Sequence, residues 1–312
     1  MNLALFFIII GVLGLWWGSE IVVNAAQRIA HRLKISQLII GLTVIAIGTS
    51  IPEIATNIAS GISVSQGNPA SGIAIGNIIG SSLANITLIL GICGLFGIFY
   101  YKKIKMMRDG TVILGSIIII FIVALDLVIT KQEGIILMLV YLGYLLYMCM
   151  QEKVFIKTAN SKNHHHTLFD IFISMLGIGI VIVSSYFVVN YGVNFAESLG
   201  IKTTLIGLFV GLGTSLPELT ISLKALHSKA HGLSLGNLLG SNITTPLFSL
   251  GAGASVAGFV VLPQTLLVDI PFLLFGTLMA LMFVFNKRLT KQEAAVLILF
   301  YCFFMYTQFF LF

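Results

Sequence analysis

Apolar residues follow one another in long, nearly unbroken runs along this chain, and polar residues are concentrated between the runs. A helix needs about 20 predominantly apolar residues to cross a bilayer core roughly 30 Å thick. Ten runs approach or exceed this length, so the pattern predicts ten transmembrane helices. Their expected bounds are 3–26, 37–60, 72–99, 111–130, 134–150, 168–196, 203–226, 233–262, 264–285 and 292–312.

The composition agrees with this pattern and excludes a soluble globule. Hydrophobic residues make up 58% of the 312 residues and charged residues 9%, whereas a soluble domain carries roughly 25% charged residues. The runs are too continuous for the alternating strands of an outer-membrane barrel. The first run lacks the basic start and cleavage site of a signal peptide. We therefore expect an all-α polytopic membrane protein with no separate soluble domain.

The net charge of +6 is explained by orientation in the membrane. With the N-terminus outside, the connections on the inner side hold 15 of the 17 basic residues, and Lys131 and Lys202 lie outside. This asymmetry follows the positive-inside rule. It predicts a multi-pass protein of the cell (inner) membrane, surrounded by lipid bilayer, with both termini outside and no nucleic-acid partner. The 15 are Arg28, Arg32, Lys34, Lys102, Lys103, Lys105, Arg108, Lys153, Lys157, Lys162, Lys224, Lys229, Lys287, Arg288 and Lys291.

Two linked motifs occur twice, in the same order. GTSIPEI at 48–54 returns as GTSLPEL at 213–219, and GNIIGSSLANITLILG at 76–91 returns as GNLLGSNITTPLFSLG at 236–251. Five spans separate the two GTS motifs, so the copies cross the membrane in opposite senses. Inverted repeats of this kind are typical of secondary transporters, whose substrate site lies near the membrane midplane between the halves.

The repeat divides the chain into two inverted five-helix halves. We expect residues 1–150 to form the first half, residues 151–167 a cytoplasmic linker, and residues 168–312 the second half. The copies differ in length before the GTS motifs, where GLTVIAIG at 41–48 corresponds to the shorter GLFVGLG at 207–213. One residue fewer turns the rest of a helix by about 100°, unless a bulge or kink absorbs the change.

Glu53 and Glu218 lie well inside apolar stretches, whereas the other acidic residues lie mostly at span ends or in connections. A charge at the bilayer centre costs about 2.5–3.5 kcal/mol, and such residues normally serve a transport pathway. The motifs around these two glutamates contain no Lys or Arg, so bound cations or protons are the expected partners. Pro52 and Pro217 each remove an N–H and so free carbonyl oxygens one turn upstream.

Side chains that carry oxygen surround the two glutamates in the sequence. Their hydroxyl and amide groups belong to Thr49, Ser50, Asn77, Ser81, Asn85, Thr214, Ser215, Asn237, Ser241 and Thr245. Residues spaced by four lie on one helical face. This spacing relates Asn77, Ser81 and Asn85 in the motif at 76–91, and Asn237, Ser241 and Thr245 in the motif at 236–251. Such hard ligands suit Ca²⁺ or Na⁺ and suit Zn²⁺ or Cu⁺ poorly. The alternative role of these polar residues is helix packing and interhelical hydrogen bonding. For Gly76, Gly80, Gly236 and Gly240, packing is the expected role.

With GTSIPE, GNIIGSSLAN, GTSLPE and GNLLGSNIT, the sequence closely resembles the sodium/calcium exchanger family of the cation/Ca²⁺ exchanger superfamily. The resemblance implies ten helices in two inverted halves and exchange of Ca²⁺ for Na⁺ by alternating access. It also implies that the first and sixth helices slide past the remaining helices when the site changes its access.

The resemblance also implies roles for particular residues. Glu53 and Glu218 match the central acidic ligands of the family. The other implied contributors are the threonines Thr49 and Thr214 through their backbone carbonyls, the neighbouring serines Ser50 and Ser215, the sodium-binding serines Ser81 and Ser241, the carbonyl donors Ala46 and Gly211, and the polar Asn85. Thr245 stands where many members carry an acid, so the number and identity of the coupled cations stay open.

The sequence therefore predicts a secondary antiporter that exchanges Ca²⁺ for Na⁺ and uses no cofactor. The alternative within this fold is exchange of Ca²⁺ against H⁺, or exchange coupled to K⁺. An intramembrane enzyme is a rival from another class, but the chain contains no HExxH motif and no evident pairing of a nucleophile with a base. A passive channel is the third alternative, and obligatory exchange would exclude it.

Overall fold

A computed structural model describes residues 2–96, 103–151, 164–198, 213–285 and 289–310, and nearly all of them are helical. Four short stretches are π-helices, here π1 to π4. The first half contains α1 (Asn2–Leu33), α2 (Gln37–Ile40), π1 (Gly41–Ile45), α3 (Ala46–Thr49), α4 (Ile51–Ser65), α5 (Ser71–Leu83), π2 (Ala84–Ile89), α6 (Leu90–Phe96), α7 (Lys103–Val123), β1 (Val128–Ile129) and α8 (Lys131–Gln151). The second contains α9 (His164–Ser198), α10 (Leu216–His227), α11 (His231–Thr244), π3 (Thr245–Ser249), α12 (Leu250–Ala257), β2 (Phe259–Val260), π4 (Thr265–Asp269), α13 (Ile270–Phe285) and α14 (Lys291–Phe310).

Within these described ranges, five helical stretches are long and apolar enough to cross a membrane. They are Ile9–Leu33, Ser71–Phe96, Lys131–Gln151, His166–Phe187 and Thr265–Phe285. A sixth arises if Gln37–Thr49 and Ile51–Ser65, which meet at an angle of 45°, form one broken span. These stretches agree with six of the ten predicted spans, and the other four stay predictions.

The expectation of a purely helical chain was wrong at one place. The strands β1 and β2 form an antiparallel pair in which Val128 faces Val260 and Ile129 faces Phe259. The predicted spans 111–130 and 233–262 therefore end in extended segments instead of continuing as helices. The pair joins the α7–α8 connection of the first half to the residues that follow α12 in the second.

The helices α1 and α9 lie along one another and run antiparallel. Gly14 of α1 faces Ser184 of α9, and Gly18 faces Val181. Farther along α1, Arg28 forms an ion pair with Asp170 near the start of α9. Small residues in this contact let the two backbones approach closely. Buried apolar residues around α1 form a cluster separate from the larger one that holds the remaining helices together.

The GNxxG motif of the second half is a backbone contact surface. A Cβ atom at Gly236 would lie 2.5 Å from the Leu38 carbonyl oxygen, and one at Gly240 would lie 2.8 Å from the Leu42 Cα atom. Helix α11 therefore packs directly against the backbone of α2 and π1. The packing role predicted for these two glycines is confirmed. For Gly76 and Gly80 the same prediction was wrong, because a Cβ atom at either position would meet nothing within 4 Å among the described residues.

The π-helix π1 lies at the place where the two sequence copies differ in length. A π-bulge is one residue inserted into an α-helix, and π1 occupies Gly41–Ile45 within the longer copy. A bulge at this place can take up one extra residue, as the difference in length between the copies requires. The corresponding stretch of the second half, 207–212, lies outside the described residues.

We expect Gly236→Ala to destabilise the fold. Because the new methyl group would meet backbone atoms of α2 and π1, the helices must separate, and overpacking of this kind costs about 1–3 kcal/mol. The thermal unfolding midpoint of the purified protein in detergent measures the effect. Gly143→Ala, on an exposed face of α8 with nothing within 4 Å of the new Cβ, is the control. Equal midpoints for the two variants would contradict this packing role.

Candidate functional site

Both GTS motifs break a helix at their serine, and each glutamate lies in the first turn after the break. Ser50 has φ −81° and ψ 6°, and Ser215 has φ −93° and ψ 6°. The cause is the proline two residues later, which has no N–H for the carbonyl four positions upstream. In the second copy that carbonyl belongs to Gly213, and it accepts a hydrogen bond of 2.9 Å from the Ser185 hydroxyl of α9.

The two carboxyl groups are buried deep in the protein and lie near each other. Glu53 is 1% exposed and Glu218 is 0% exposed, and their charges repel one another electrostatically. Among the described residues no ion pair involves either glutamate. The side chains therefore place two negative charges in one buried region without a basic neighbour.

Hydroxyl groups from both halves meet beside Glu218. The Ser241 hydroxyl of the second half lies 3.5 Å from Oε1 of Glu218. Thr49 and Ser241 are in turn 3.4 Å apart through their hydroxyl oxygens. The GTS motif of the first half and the GNxxG helix of the second therefore meet beside one carboxylate.

Asn77 and Asn237 occupy the same position in the two repeats and make the same contact. The Asn77 amide donates to the backbone carbonyl of Glu53 at 3.4 Å, and the Asn237 amide donates to that of Glu218 at 3.3 Å. Asn237 also accepts a hydrogen bond of 3.1 Å from the Thr49 hydroxyl and donates one of 3.0 Å to Ser222. Each asparagine thus fixes the turn that carries its glutamate.

The π-helices π2 and π3 contain Asn85 and Thr245 and lie near the two glutamates. In the first half π2 packs against α10 and α11, and in the second half π3 packs against α4 and α5. Each π-helix therefore lies beside the glutamate-bearing helix of the opposite half. Because π-bulges occur frequently at functional sites, their coincidence with two predicted site residues marks this crossing as the candidate site.

Many buried polar atoms at the crossing have no hydrogen-bond partner within the described residues. They are both carboxylate oxygens of Glu53, Oε2 of Glu218, the hydroxyl oxygens of Ser50, Ser215 and Thr245, both amide atoms of Asn85, and Oδ1 of Asn57. Buried polar groups are normally paired, and a group without a partner calls for an explanation such as an ion. Most of these atoms are oxygens that accept a cation well.

The other predicted residues differ in their placement. Ser81 is buried and donates to the Asn77 carbonyl at 2.7 Å, which leaves its oxygen lone pairs available. The Ala46 carbonyl accepts the Ser50 N–H at 3.0 Å and lies 3.3 Å from the Thr49 hydroxyl, which can also donate to it. Thr214 is half-buried. Gly211 lies outside the described residues, and its carbonyl role stays a prediction.

Three polar contacts of this region were missed in the sequence. Asn57, one turn after Glu53, donates to the Ser249 hydroxyl of π3 at 2.5 Å. Ser222 holds the equivalent place one turn after Glu218 and accepts from Asn237. Ser185 donates to the freed Gly213 carbonyl. The four-residue spacing from each glutamate could have indicated that Asn57 and Ser222 face this region, since residues four apart share a helical face. It could not have indicated their partners.

The oxygens gathered in this region could hold a hard cation. Carboxylate, hydroxyl and amide oxygens are the ligands of Ca²⁺ and Na⁺, whereas Zn²⁺ prefers nitrogen and sulfur. In the part of the chain that the structure describes, no cluster of three or more His, Cys, Asp or Glu residues is arranged to hold a metal. The two glutamates are therefore the charged members of a mainly neutral oxygen set.

A helical membrane fold and relatives that exchange ions define the class of the chain: it is an integral, multi-pass membrane protein that exchanges Ca²⁺ for another cation. A family model described as sodium/calcium exchanger protein matches residues 3–150 and 169–310. The chain belongs to the sodium/calcium exchanger protein family. The family named from the motifs is thereby confirmed.

Individual relatives agree over most of the chain. Sodium/calcium exchanger MaX1 of Methanosarcina acetivorans is 30% identical, over 97% of this chain and 98% of its own. Inner membrane protein YrbG of Escherichia coli is 27% identical, over 82% of this chain and 81% of its own. A solved structure of the sodium-calcium exchanger NCX_Mj, soaked with Na⁺ and Sr²⁺, superposes with a TM-score of 0.84 at 28% identity and covers 97% of each chain.

We expect Asn237→Ser to destabilise the protein by about 1–3 kcal/mol. The shorter side chain leaves the buried Glu218 carbonyl, Ser222 and Thr49 without the amide, and buried groups that lose a partner cost this much. Asn242→Ser on the same helix is the control, because the Asn242 amide bonds the Leu238 carbonyl of its own helix. Thermal unfolding in detergent compares the two. A larger loss for Asn242→Ser would contradict the bridging role of Asn237.

Proposed function

We propose that the chain exchanges Ca²⁺ for Na⁺ across the membrane by alternating access, at a site centred on Glu53 and Glu218. One observation carries this function: buried oxygens of both halves converge at two neighbouring carboxylates, and many have no hydrogen-bond partner in the described part of the chain. A cation with several oxygen ligands would satisfy them together. The remaining ligands are proposed to be Thr49, Ser50, Ser81, Asn85, Thr214, Ser215, Ser241 and Thr245, with the carbonyls of Ala46 and Gly211.

Charge explains why such a site would exchange ions. The two carboxylates carry two negative charges, which one Ca²⁺ neutralises and which repel each other when nothing is bound. Na⁺ ions or protons neutralise the same groups, so a loaded site can change its access without an uncompensated charge. Since the ions use the same oxygens, binding of one excludes the other. Mutual exclusion of this kind couples the two fluxes.

Thr245 is a neutral residue of the proposed site at a position where an acid would add a third negative charge. The family resemblance places an acid here in many members, whereas this chain offers a neutral hydroxyl that is 1% exposed. The full charge of the proposed ligand set is therefore that of Glu53 and Glu218. Fewer negative charges bind fewer cations at once, so the number of Na⁺ ions exchanged per Ca²⁺ is the property that Thr245 would influence.

We propose the ten-span architecture of two inverted five-helix halves, residues 1–150 and 168–312, joined by a linker at 151–167. Support comes from equivalent contacts in both copies: the helix breaks at Ser50 and Ser215 and the amide bonds of Asn77 and Asn237. The basic residues favour termini on the outer side of the cell membrane. The relative YrbG is named an inner membrane protein, which agrees with this location.

The α1–α9 pair is the proposed moving part. Its apolar contacts lie in a cluster that also includes Ile45 of π1 and Ile221 of α10, and Gly14 and Gly18 of α1 let the two helices approach closely. The pair also reaches the site, because Ser185 of α9 bonds the carbonyl freed by the second helix break. A shift of α9 would therefore act on the turn that precedes Glu218.

Exchange of Ca²⁺ against H⁺ is the second candidate. One observation favours it: both oxygens of the Glu53 carboxyl group lack a partner among the described residues, so a proton could neutralise this group as readily as Na⁺. Coupling to K⁺ would use the same oxygens. The three candidates share the fold and the ligands, and flux measurements separate them.

We expect Glu53→Gln and Glu218→Gln each to abolish calcium uptake by proteoliposomes that hold the purified protein. Loss of one partner of a buried charge interaction costs about 2–5 kcal/mol, so transport should fall roughly 30-fold to several thousand-fold. Glu293→Gln is the matched control, since Glu293 is a capping residue that bonds Thr290 at the start of α14 and glutamine can also cap a helix. Normal transport by either central variant would remove this site from the mechanism.

Uptake of calcium under imposed ion gradients identifies the counter-ion. Outward gradients of Na⁺, K⁺ and H⁺ are imposed in turn on the same proteoliposomes. We expect uptake with the Na⁺ gradient, because Na⁺ matches the hard oxygen ligands. Uptake with the pH gradient alone would show that Ca²⁺/H⁺ exchange is the correct mechanism. Uptake without any counter-ion would indicate a channel.

A further inference from the structure

A second polar cavity lies away from the glutamates, where the end of α1 meets the turn between α10 and α11. Its volume is about 540 Å³, within the range of ligand pockets. Its lining is rich in basic and amide side chains: Arg28, His31, Arg32 and Lys229, with Asn24 and Gln27. The residues that line it include no Asp or Glu. We propose that this cavity binds a phosphate group, either of an anionic lipid or of a free phosphate.

The arginines are held in position by a buried acid outside the cavity lining. Asp170 has a side chain that is 3% exposed, and its two oxygens contact Nε of Arg28 at 2.8 Å and Nη1 of Arg32 at 2.9 Å. The Nε contact is the bond that the structure describes for Arg28, so its terminal nitrogens remain available on a side chain that is 45% exposed. Guanidinium groups fixed in this way match the oxygens of a phosphate.

The opposite wall supplies a third cation. Lys229 is exposed and adopts φ 57°, a left-handed conformation that turns the chain between α10 and α11. The Gln27 amide bonds the Ser228 carbonyl at 3.2 Å, which fixes this turn against α1. Three cations and one carboxylate leave two net positive charges around the cavity. Cations gathered like this repel each other, and an anion between them relieves the repulsion.

The location favours a ligand at the membrane surface. The cavity lies at the end of α1 that the distribution of basic residues assigns to the inner side, where anionic headgroups attract Lys and Arg. Basic pockets between membrane helices commonly hold phosphate-bearing headgroups. Soluble phosphate has the same chemistry, so the experiment treats the two sources separately. The cavity shares no lining residue with the proposed ion site.

The test measures thermal unfolding of the full-length protein in two settings. In one, nanodiscs of phosphatidylcholine are compared with nanodiscs that also contain phosphatidylglycerol; in the other, detergent-purified protein is titrated with inorganic phosphate. We expect the unfolding temperature to rise in at least one setting. The double variant Arg28→Gln/Lys229→Gln should bind roughly 30-fold more weakly and lose the rise. It keeps the ion pair of Arg32 with Asp170.

Two further variants complete the design. Lys131→Gln/Lys291→Gln changes the net charge equally at exposed positions elsewhere and should keep the rise. Asn24→Asp keeps every basic residue but pairs with Arg28 four residues later, so it should lose the rise even if the double variant does not fold. A rise with phosphatidylglycerol alone identifies a lipid headgroup, and one with phosphate alone a free anion. No rise in the natural protein, or a rise kept by Asn24→Asp, overturns the proposal.

Discussion

Two buried carboxyl groups that lie near each other, with no ion pair to a basic residue in the described part of the chain, impose the constraint on which this structure depends. Their negative charge must be neutralised or solvated inside a helix bundle that is otherwise largely apolar. Hydroxyl and amide groups of both halves surround the two carboxyl groups, and broken and bulged helices bring these polar groups together. Ser50 and Ser215 end helical segments early, and π2 and π3 carry Asn85 and Thr245 toward the opposite half. These four departures from regular helix serve this region.

The two copies of the repeat hold their glutamates through equivalent backbone contacts, but the side chains around the glutamates make different hydrogen bonds in the two halves. The amides of Asn77 and Asn237 hold the two glutamate turns alike. In contrast, Asn57 reaches across to Ser249 in the other half, whereas its counterpart Ser222 accepts from Asn237 within its own half. Duplication thus supplies the scaffold, and later substitutions can give each half-site a different affinity.

Sequence patterns predicted the parts of the site that depend on local chemistry. The prolines mark the helix breaks, and the isolated Glu53 and Glu218 stand out in apolar stretches, so both features were readable. The contact between Asn57 and Ser249 was not, because it depends on how π3 crosses α4. The strand pair was missed because the residues of β1 and β2 are apolar and continue the pattern of the helices. The length difference before the GTS motifs was readable, but the bulge π1 that can take it up was visible only in the backbone.

The contacts between halves also bear on how the protein assembles during synthesis. Asn57 and Thr49 find their partners Ser249 and Asn237 far along the chain, and β1 pairs with β2 just as late. The first half is made first, so its polar groups enter the membrane before those partners exist. Until the second half has been synthesised and inserted, these polar groups must form hydrogen bonds with water or with one another. The contacts between the halves around the glutamates are then completed in a late folding step, and a nascent chain arrested midway would leave these polar groups without the partners that the second half supplies.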